Sequence, residues 1–335
     1  MRGVHVHATV RRIALLTGAG LATAAILTGC TSSATNDAAA DNQATVVATT
    51  TIWGNVADQI MECAGAGTVT TLIPVGADPH DYSASSRDVA TMVDADLVVT
   101  NGLGLEEGLA SSLASAQSDG ATVFAVAPLL NPIPFDGEYS EEEAGHSSAP
   151  GAPSESGDTH SEDPHVWLDM TRVATGADLI GQELARQTGN NTYATCGTQV
   201  AEDITATNGE VTAILDTVPA AERVLVTDHD AFGYFSQAYG YRVAGVVIPG
   251  GSTLAQPSSA ELSALASTMK TEGVSTIFAN TANPTALTEA LASEVGNVTV
   301  VPLYVGSIGA PDSDAATYQT MMLANARLIA AGLSG

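Results

Sequence analysis

From Ala44 onward, short apolar runs rich in β-branched residues alternate with longer stretches whose apolar positions recur three and four apart. The first pattern predicts strands buried on both faces and the second predicts helices with one face inward. In the first half the strands are 45–52, 69–72, 97–100 and 122–126, with helices at 53–63, 85–93 and 105–116 between them. Val56, Ile60 and Cys63 fall on one face of the first helix. Two long helical runs follow, 172–187 and 193–215. A second set of strands then appears at 224–227, 242–247, 276–279 and 298–303. A helix begins at 231–235, and others span 258–271, 284–295 and 315–333. Strands and helices alternating at this spacing imply mostly parallel sheets covered on both faces.

Residues 131–163 break the alternation. They carry Pro, Gly and Ser, nine acidic residues and two histidines, His146 and His160, with almost no apolar content. The stretch predicts a long exposed loop. Ahead of the alternating region lies a basic start (Arg2, Arg11, Arg12) and an apolar run, Ile13 to Leu27, that is too short and too rich in small residues for a membrane span. It ends in Leu27-Thr28-Gly29-Cys30, which is similar to the lipobox of bacterial lipoproteins. The expected organisation is a lipoprotein signal peptide (1–29), a flexible tether (30–44), an N-terminal α/β lobe (45–187), a linking helix (188–218) and a C-terminal α/β lobe (219–335). Arg11-Arg12 leaves Sec and twin-arginine export both open.

Charge changes the picture by exclusion. The chain has ten basic and 37 acidic residues; without the leader's three arginines the remainder carries a formal −30. Such a surface repels nucleic acid and anionic headgroups. Cysteine adds a constraint. With Cys30 assigned to the anchor, Cys63 and Cys196 remain, an even pair in an oxidising compartment, and a disulfide between them is expected.

Candidate chemistry sits in three places. His80 lies in Gly76-Ala77-Asp78-Pro79-His80-Asp81-Tyr82, His165 in Asp163-Pro164-His165-Val166-Trp167-Leu168-Asp169, and His229 in His229-Asp230-Ala231-Phe232-Gly233-Tyr234-Phe235. Each falls where a strand or loop meets a helix, the edge at which open α/β sheets bind ligands. Neutral imidazoles are good donors for zinc and other borderline divalent metals. Asp81, Asp169 and Asp230, close by in sequence, are the expected acceptors for the second ring N–H.

These three motifs, with the closing Tyr318…Met321-Met322…Asn325, resemble the cluster A-I (cluster 9) substrate-binding proteins of metal-ion ABC importers, from Cys30 to Gly335. The resemblance implies an α/β fold of two Rossmann-like lobes with mostly parallel sheets joined by a long rigid helix, with the metal in the cleft. It implies that His80, His165 and His229 are metal ligands and that the partners are an ABC permease and ATPase. It further implies a monomer anchored by Cys30 at the outer face of the bacterial cell membrane. Zinc binders of the family resemble this chain in having His at the third position, where manganese binders have Glu. The expected ligand is therefore Zn2+, with Mn2+ as the alternative. The chain departs from the family at Gly306, where an Asp usually supplies the fourth ligand; water, Asp312 or Asp314 could fill that position. Zinc-binding members often carry a metal-collecting loop at the place of 131–163, and a plain solvated insertion is the other reading. Two rival functions are a surface adhesin and a zinc hydrolase. A surface adhesin would keep the fold without transport. A zinc hydrolase would need a general base, and no paired motif such as HExxH supplies one.

Overall fold

The computed structural model describes residues 43–135, 162–283 and 285–334. The anticipated leader, most of the tether and the loop histidines His146 and His160 lie outside the described residues.

The N-terminal lobe is built from β1 (Thr45–Ala48), α1 (Thr51–Ala64), β2 (Thr68–Thr71), α2 (Ser86–Val93), β3 (Leu97–Thr100), α3 (Ala110–Ser118) and β4 (Val123–Ala125). Its four strands are all parallel, in the order β2-β1-β3-β4. Two long helices, α4 (Met170–Thr188) and α5 (Thr192–Leu215), lead to the second lobe. That lobe comprises β5 (Val224–His229), α6 (Gly233–Tyr239), β6 (Arg242–Ile248), α7 (Ser259–Glu272), β7 (Thr276–Asn280), α8 (Ala286–Val295), β8 (Thr299–Leu303) and α9 (Tyr318–Leu333). Its parallel order, β6-β5-β7-β8, repeats the first. In both sheets the order reverses at the first strand, so each lobe presents a crevice at its carboxyl edge.

Local sequence accounts for most element ends. Thr50 caps α1, its side chain accepting from the Trp53 N–H, and Gly65 closes it in the left-handed region at φ 63°. Ser85 and Ser258 form capping boxes with Asp88 and Glu261. The expected strand 45–52 is shorter than anticipated because the Thr50 cap turns the chain into α1. The expected helix 105–116 starts late: a 3-10 turn, Glu107–Leu109, precedes α3.

The core is continuous between the lobes. Trp53, Val56 and Ile60 of α1 share one buried cluster with Trp167, with Tyr193 and Val211 of α5, and with Tyr318, Met321 and Met322 of α9. Each lobe also has a smaller cluster of its own, such as Val47, Leu72 and Met92 in the first and Val226, Met269 and Ile277 in the second. Polar groups pin the same interface. Trp167 Nε1 donates to the Val305 carbonyl at 2.7 Å, Tyr318 OH donates to the Trp167 carbonyl at 2.7 Å, and the Tyr318 N–H donates to Asn55 at 2.8 Å. Cys63 of α1 and Cys196 of α5 are joined by a disulfide, their Cα atoms 5.6 Å apart. Among the described residues no helix is long and apolar enough to cross a membrane.

Candidate metal centre

The three histidines singled out in the sequence converge. His80 comes from the loop after β2, His165 from the turn before α4, and His229 from the last position of β5. All three are buried, at 1–2% exposure. One ligating nitrogen from each lies within 4.8 Å of the others. Ring centroids are separated by 5.2 Å (His165–His229), 5.5 Å (His80–His165) and 6.1 Å (His80–His229). A tetrahedral zinc with Zn–N bonds of 2.0–2.1 Å needs nitrogens about 3.4 Å apart, so small side-chain rotations suffice.

Two of the imidazoles are hydrogen-bonded to a carboxylate at Nδ1, and the third has one nearby without a hydrogen bond. Asp163 Oδ1 lies 2.8 Å from His165 Nδ1, Asp228 Oδ1 lies 3.0 Å from His229 Nδ1, and Glu107 Oε1 lies 3.5 Å from His80 Nδ1. At His165 and His229 this arrangement leaves the Nε2 edge for a cation. Both ring nitrogens of His80 and Nε2 of His165 are buried without any hydrogen-bond partner. A buried polar atom left unpaired costs free energy, and a metal in this position would satisfy one nitrogen on each ring.

These backing groups differ from the expected Asp81, Asp169 and Asp230. Asp81 is exposed. Asp169 is spent as the N-cap of α4, accepting from the Thr171 N–H at 2.9 Å, with Arg172 Nε 3.2 Å from its other oxygen. For His229 the contact is made by the residue before it, Asp228, rather than by Asp230. A sequence signal for Asp163 did exist. Asp-Pro-His occurs twice, at 78–80 and 163–165, and in both turns the Asp Oδ1 accepts the His backbone N–H, at 3.0 and 2.9 Å. Glu107, 27 residues from His80, left no local signal.

The surrounding structure fixes the second Asp-Pro-His turn. Trp53 Nε1 donates to Asn101 Oδ1 at 2.9 Å, and Asn101 Nδ2 donates to the Pro164 carbonyl at 2.9 Å. Tyr234 OH donates to the Asp163 carbonyl at 2.7 Å and accepts from the Ile133 N–H at 3.1 Å. The Arg172 guanidinium lies over the Tyr234 ring, 4.7 Å from its centroid.

The imidazoles differ electrostatically. Burial, with His229 and His80 adding to it, holds the His165 pKa well below the usual value, while burial raises Asp163. Both shifts disfavour the charged forms of this pair. At His229 burial pulls down, but the Asp228 carboxylate outweighs it and the pKa is raised. Asp228 itself stays low, because His229 and further hydrogen bonds overcome its burial.

Among the described residues the histidine cluster includes no carboxylate ligand. Asp312 and Asp314 are both exposed. At Gly306 a Cβ would lie 3.0 Å from Pro79 Cδ and 3.4 Å from Asn280 Nδ2. The missing side chain thus lets the first Asp-Pro-His turn close against the end of β8.

The chain is similar to known metal-binding proteins. It is 30% identical over 318 residues to the zinc-binding protein TroA of Treponema pallidum (strain Nichols), covering 92% of this chain and 95% of TroA. It is 25% identical over 313 residues to the manganese-binding lipoprotein MntA of Halalkalibacterium halodurans, covering 93% and 95%. The solved structure of the periplasmic zinc binding protein TroA from Treponema pallidum superposes with a TM-score of 0.71 at 28% identity, over 87% of this chain and 99% of that one. A Mn-bound periplasmic metal binding protein from Candidatus Liberibacter asiaticus superposes with a TM-score of 0.70 at 22% identity, over 87% of this chain and 100% of that one, a likeness of fold alone. Residues 46–332 match the family described as zinc-uptake complex component A, periplasmic (ZnuA). The chain belongs to this family, whose members are metal-binding substrate-binding proteins of ABC transporters and not enzymes.

Proposed function

We propose that this protein captures Zn2+ between its lobes through His80, His165 and His229 and delivers it to an ABC permease and ATPase. The observation that carries this reading is the set of three buried imidazoles, each offering a nitrogen within 4.8 Å of the others, two of them hydrogen-bonded to a carboxylate at Nδ1. An all-nitrogen donor set suits zinc; manganese prefers the hard oxygen that Gly306 does not offer. The family description and the zinc-binding relative support the same ion. The relative named as manganese-binding keeps Mn2+ as the competitor to test. Anchoring through Cys30 at the outer face of the membrane is supported by relatives named as lipoproteins. The acting form is a monomer of two lobes, 45–187 and 219–335, joined by the segment 188–218.

Chelator-stripped protein titrated with zinc is expected to take up one ion per chain, with manganese bound at least tenfold more weakly. His229→Ala is expected to lose zinc on dialysis against chelator, since three ligands leave little redundancy. Stoichiometric zinc retained by that variant, or equal affinity for the two metals, would overturn the assignment.

A further inference from the structure

The two Asp-Pro-His turns are alike in their backbone bond and differ in what the carboxylate does next. Asp163 Oδ1 takes both the His165 N–H and the ring Nδ1, so this Asp serves its own histidine. Asp78 Oδ1 takes only the His80 N–H. Its other oxygen, Oδ2, reaches across the cleft and accepts from Thr253 Oγ1 at 2.6 Å. Thr253 lies in the loop between β6 and α7, in the opposite lobe. The Asn283 amide, also from that lobe, lies between two carboxylates. One end is 3.3 Å from Asp228 Oδ2, and turned the other way its NH2 donates to Asp78 Oδ2 at 2.7 Å.

The same loop touches the first lobe a second time. The tip of the Phe135 ring lies against Gly251, where a Cβ would fall 2.1 Å from Cζ. Phe135 in turn stands edge-on to His165, centroid to centroid 6.4 Å. Residues 250–253 therefore cross the mouth of the site with one contact beside His165 and another beside His80. The lobes also meet beside His165, where Tyr234 OH donates to the Asp163 carbonyl at 2.7 Å, and farther off, for example at Trp167–Val305 and at Gly76–Ser307, where the Gly76 N–H donates to Ser307 Oγ at 2.9 Å.

We propose that Asp78 is a positioning residue: by clasping Thr253 across the cleft it holds His80 against His229, and opening this clasp sets the rate of metal release. The inference rests on the zinc-binding reading above. Asp78 and His80 are two residues apart, joined by the rigid Pro79 and by the Asp78–His80 hydrogen bond, so movement at the carboxylate is transmitted to the ligand. Release requires a nitrogen from one lobe to part from those of the other, and the clasp bridges those same two lobes. A hydrogen bond to a charged acceptor is strong enough that its loss speeds opening by about tenfold or more.

The test uses the full folded chain loaded with zinc, with release followed in stopped flow against a chromogenic chelator. Thr253→Val keeps the shape and removes the hydroxyl; it is expected to release zinc at least tenfold faster while still binding one ion per chain. Thr253→Ser keeps the hydroxyl and is expected to release within twofold of the natural protein. Thr253→Ala serves in place of the valine variant should that one misfold, with the same expected acceleration. Release unchanged in the valine or alanine variant overturns the clasp, as does a serine variant as fast as valine, which would trace the effect to packing. Natural protein that takes up no zinc at all overturns the functional reading and the clasp with it, an outcome distinct from normal uptake with unaltered release.

Discussion

Burial pushes His80 down to about 4, with the neighbouring His229 adding to the fall, and it holds His165 low as well. Neither imidazole competes for protons near neutrality, so each offers an unprotonated ring nitrogen to a cation. His229 is the exception, because Asp228 raises it. A metal ligand must be deprotonated, so zinc affinity is expected to fall on acidification, beginning above the ordinary imidazole value near ~6.5. The loss should approach about tenfold per pH unit while one proton is displaced. In Asp228→Asn the carboxylate is gone, His229 returns toward lower values, and the onset should move to lower pH. That variant should also bind about 10–100-fold more weakly at pH 8, since the imidazole is a poorer donor without its acceptor. Competition titrations between pH 5.5 and 8 read both effects, and superimposable profiles would remove Asp228 from the account.

At the scale of elements, α4 and α5 are held together by close backbone approach. A Cβ on Gly197 would lie 2.8 Å from the Ala177 carbonyl oxygen and 2.9 Å from Gly181 Cα, and one on Gly181 would lie 2.6 Å from the Tyr193 carbonyl oxygen. The obstacles are backbone atoms, which cannot rotate aside. Gly197→Val is therefore expected to force the helices apart and destabilise by about 1–3 kcal/mol or more. Thermal unfolding of the purified variant reads this, and an unchanged midpoint would contradict the packing. The crossing lies one residue from Cys196, so the same change should also strain the disulfide's placement. Beside it, Gly176 faces the Trp53 ring, where a Cβ would sit 2.7 Å from Cζ3. The Trp53–Asn101–Pro164 hydrogen bonds that fix the His165 turn thus depend on a residue with no side chain in α4.

Across the whole molecule, the Cys63–Cys196 bond closes a loop spanning 133 residues of separation and ties α1 to α5. On the chain-entropy model a loop of this length contributes up to ~4–5 kcal/mol, less any cost in the folded state. The double variant Cys63→Ala/Cys196→Ala should show a clearly lower denaturant midpoint, while its zinc stoichiometry stays at one. Two free thiols in unreduced, denatured natural protein would sink the pairing. The interface between the lobes is apolar and continuous through α1, α5 and α9, which opposes wide hinge opening and favours small movements at the mouth of the site. Loop 250–253 is placed to make such movements.

Much of this was legible in the chain. The alternation of apolar periods gave eight strands in two sets of four, and their parallel order follows from the helices between them. His80, His165 and His229 stood out because each lies at a strand or loop end, and an even cysteine count named the disulfide. These are local or compositional signals, set by side-chain chemistry and by the geometry of a few neighbouring residues. What faces what across the cleft is a different matter. That Asp163 serves its own histidine while Asp78 reaches the other lobe, that Glu107 and not Asp81 stands beside His80, and that Gly306 makes room for Pro79 rather than placing a ligand, were decided by tertiary structure alone. The physical reason is that a carboxylate two residues from a histidine can bond it, cap a helix or cross a cleft with equal local ease. Only the packing of distant segments around it determines which donor comes within 3 Å.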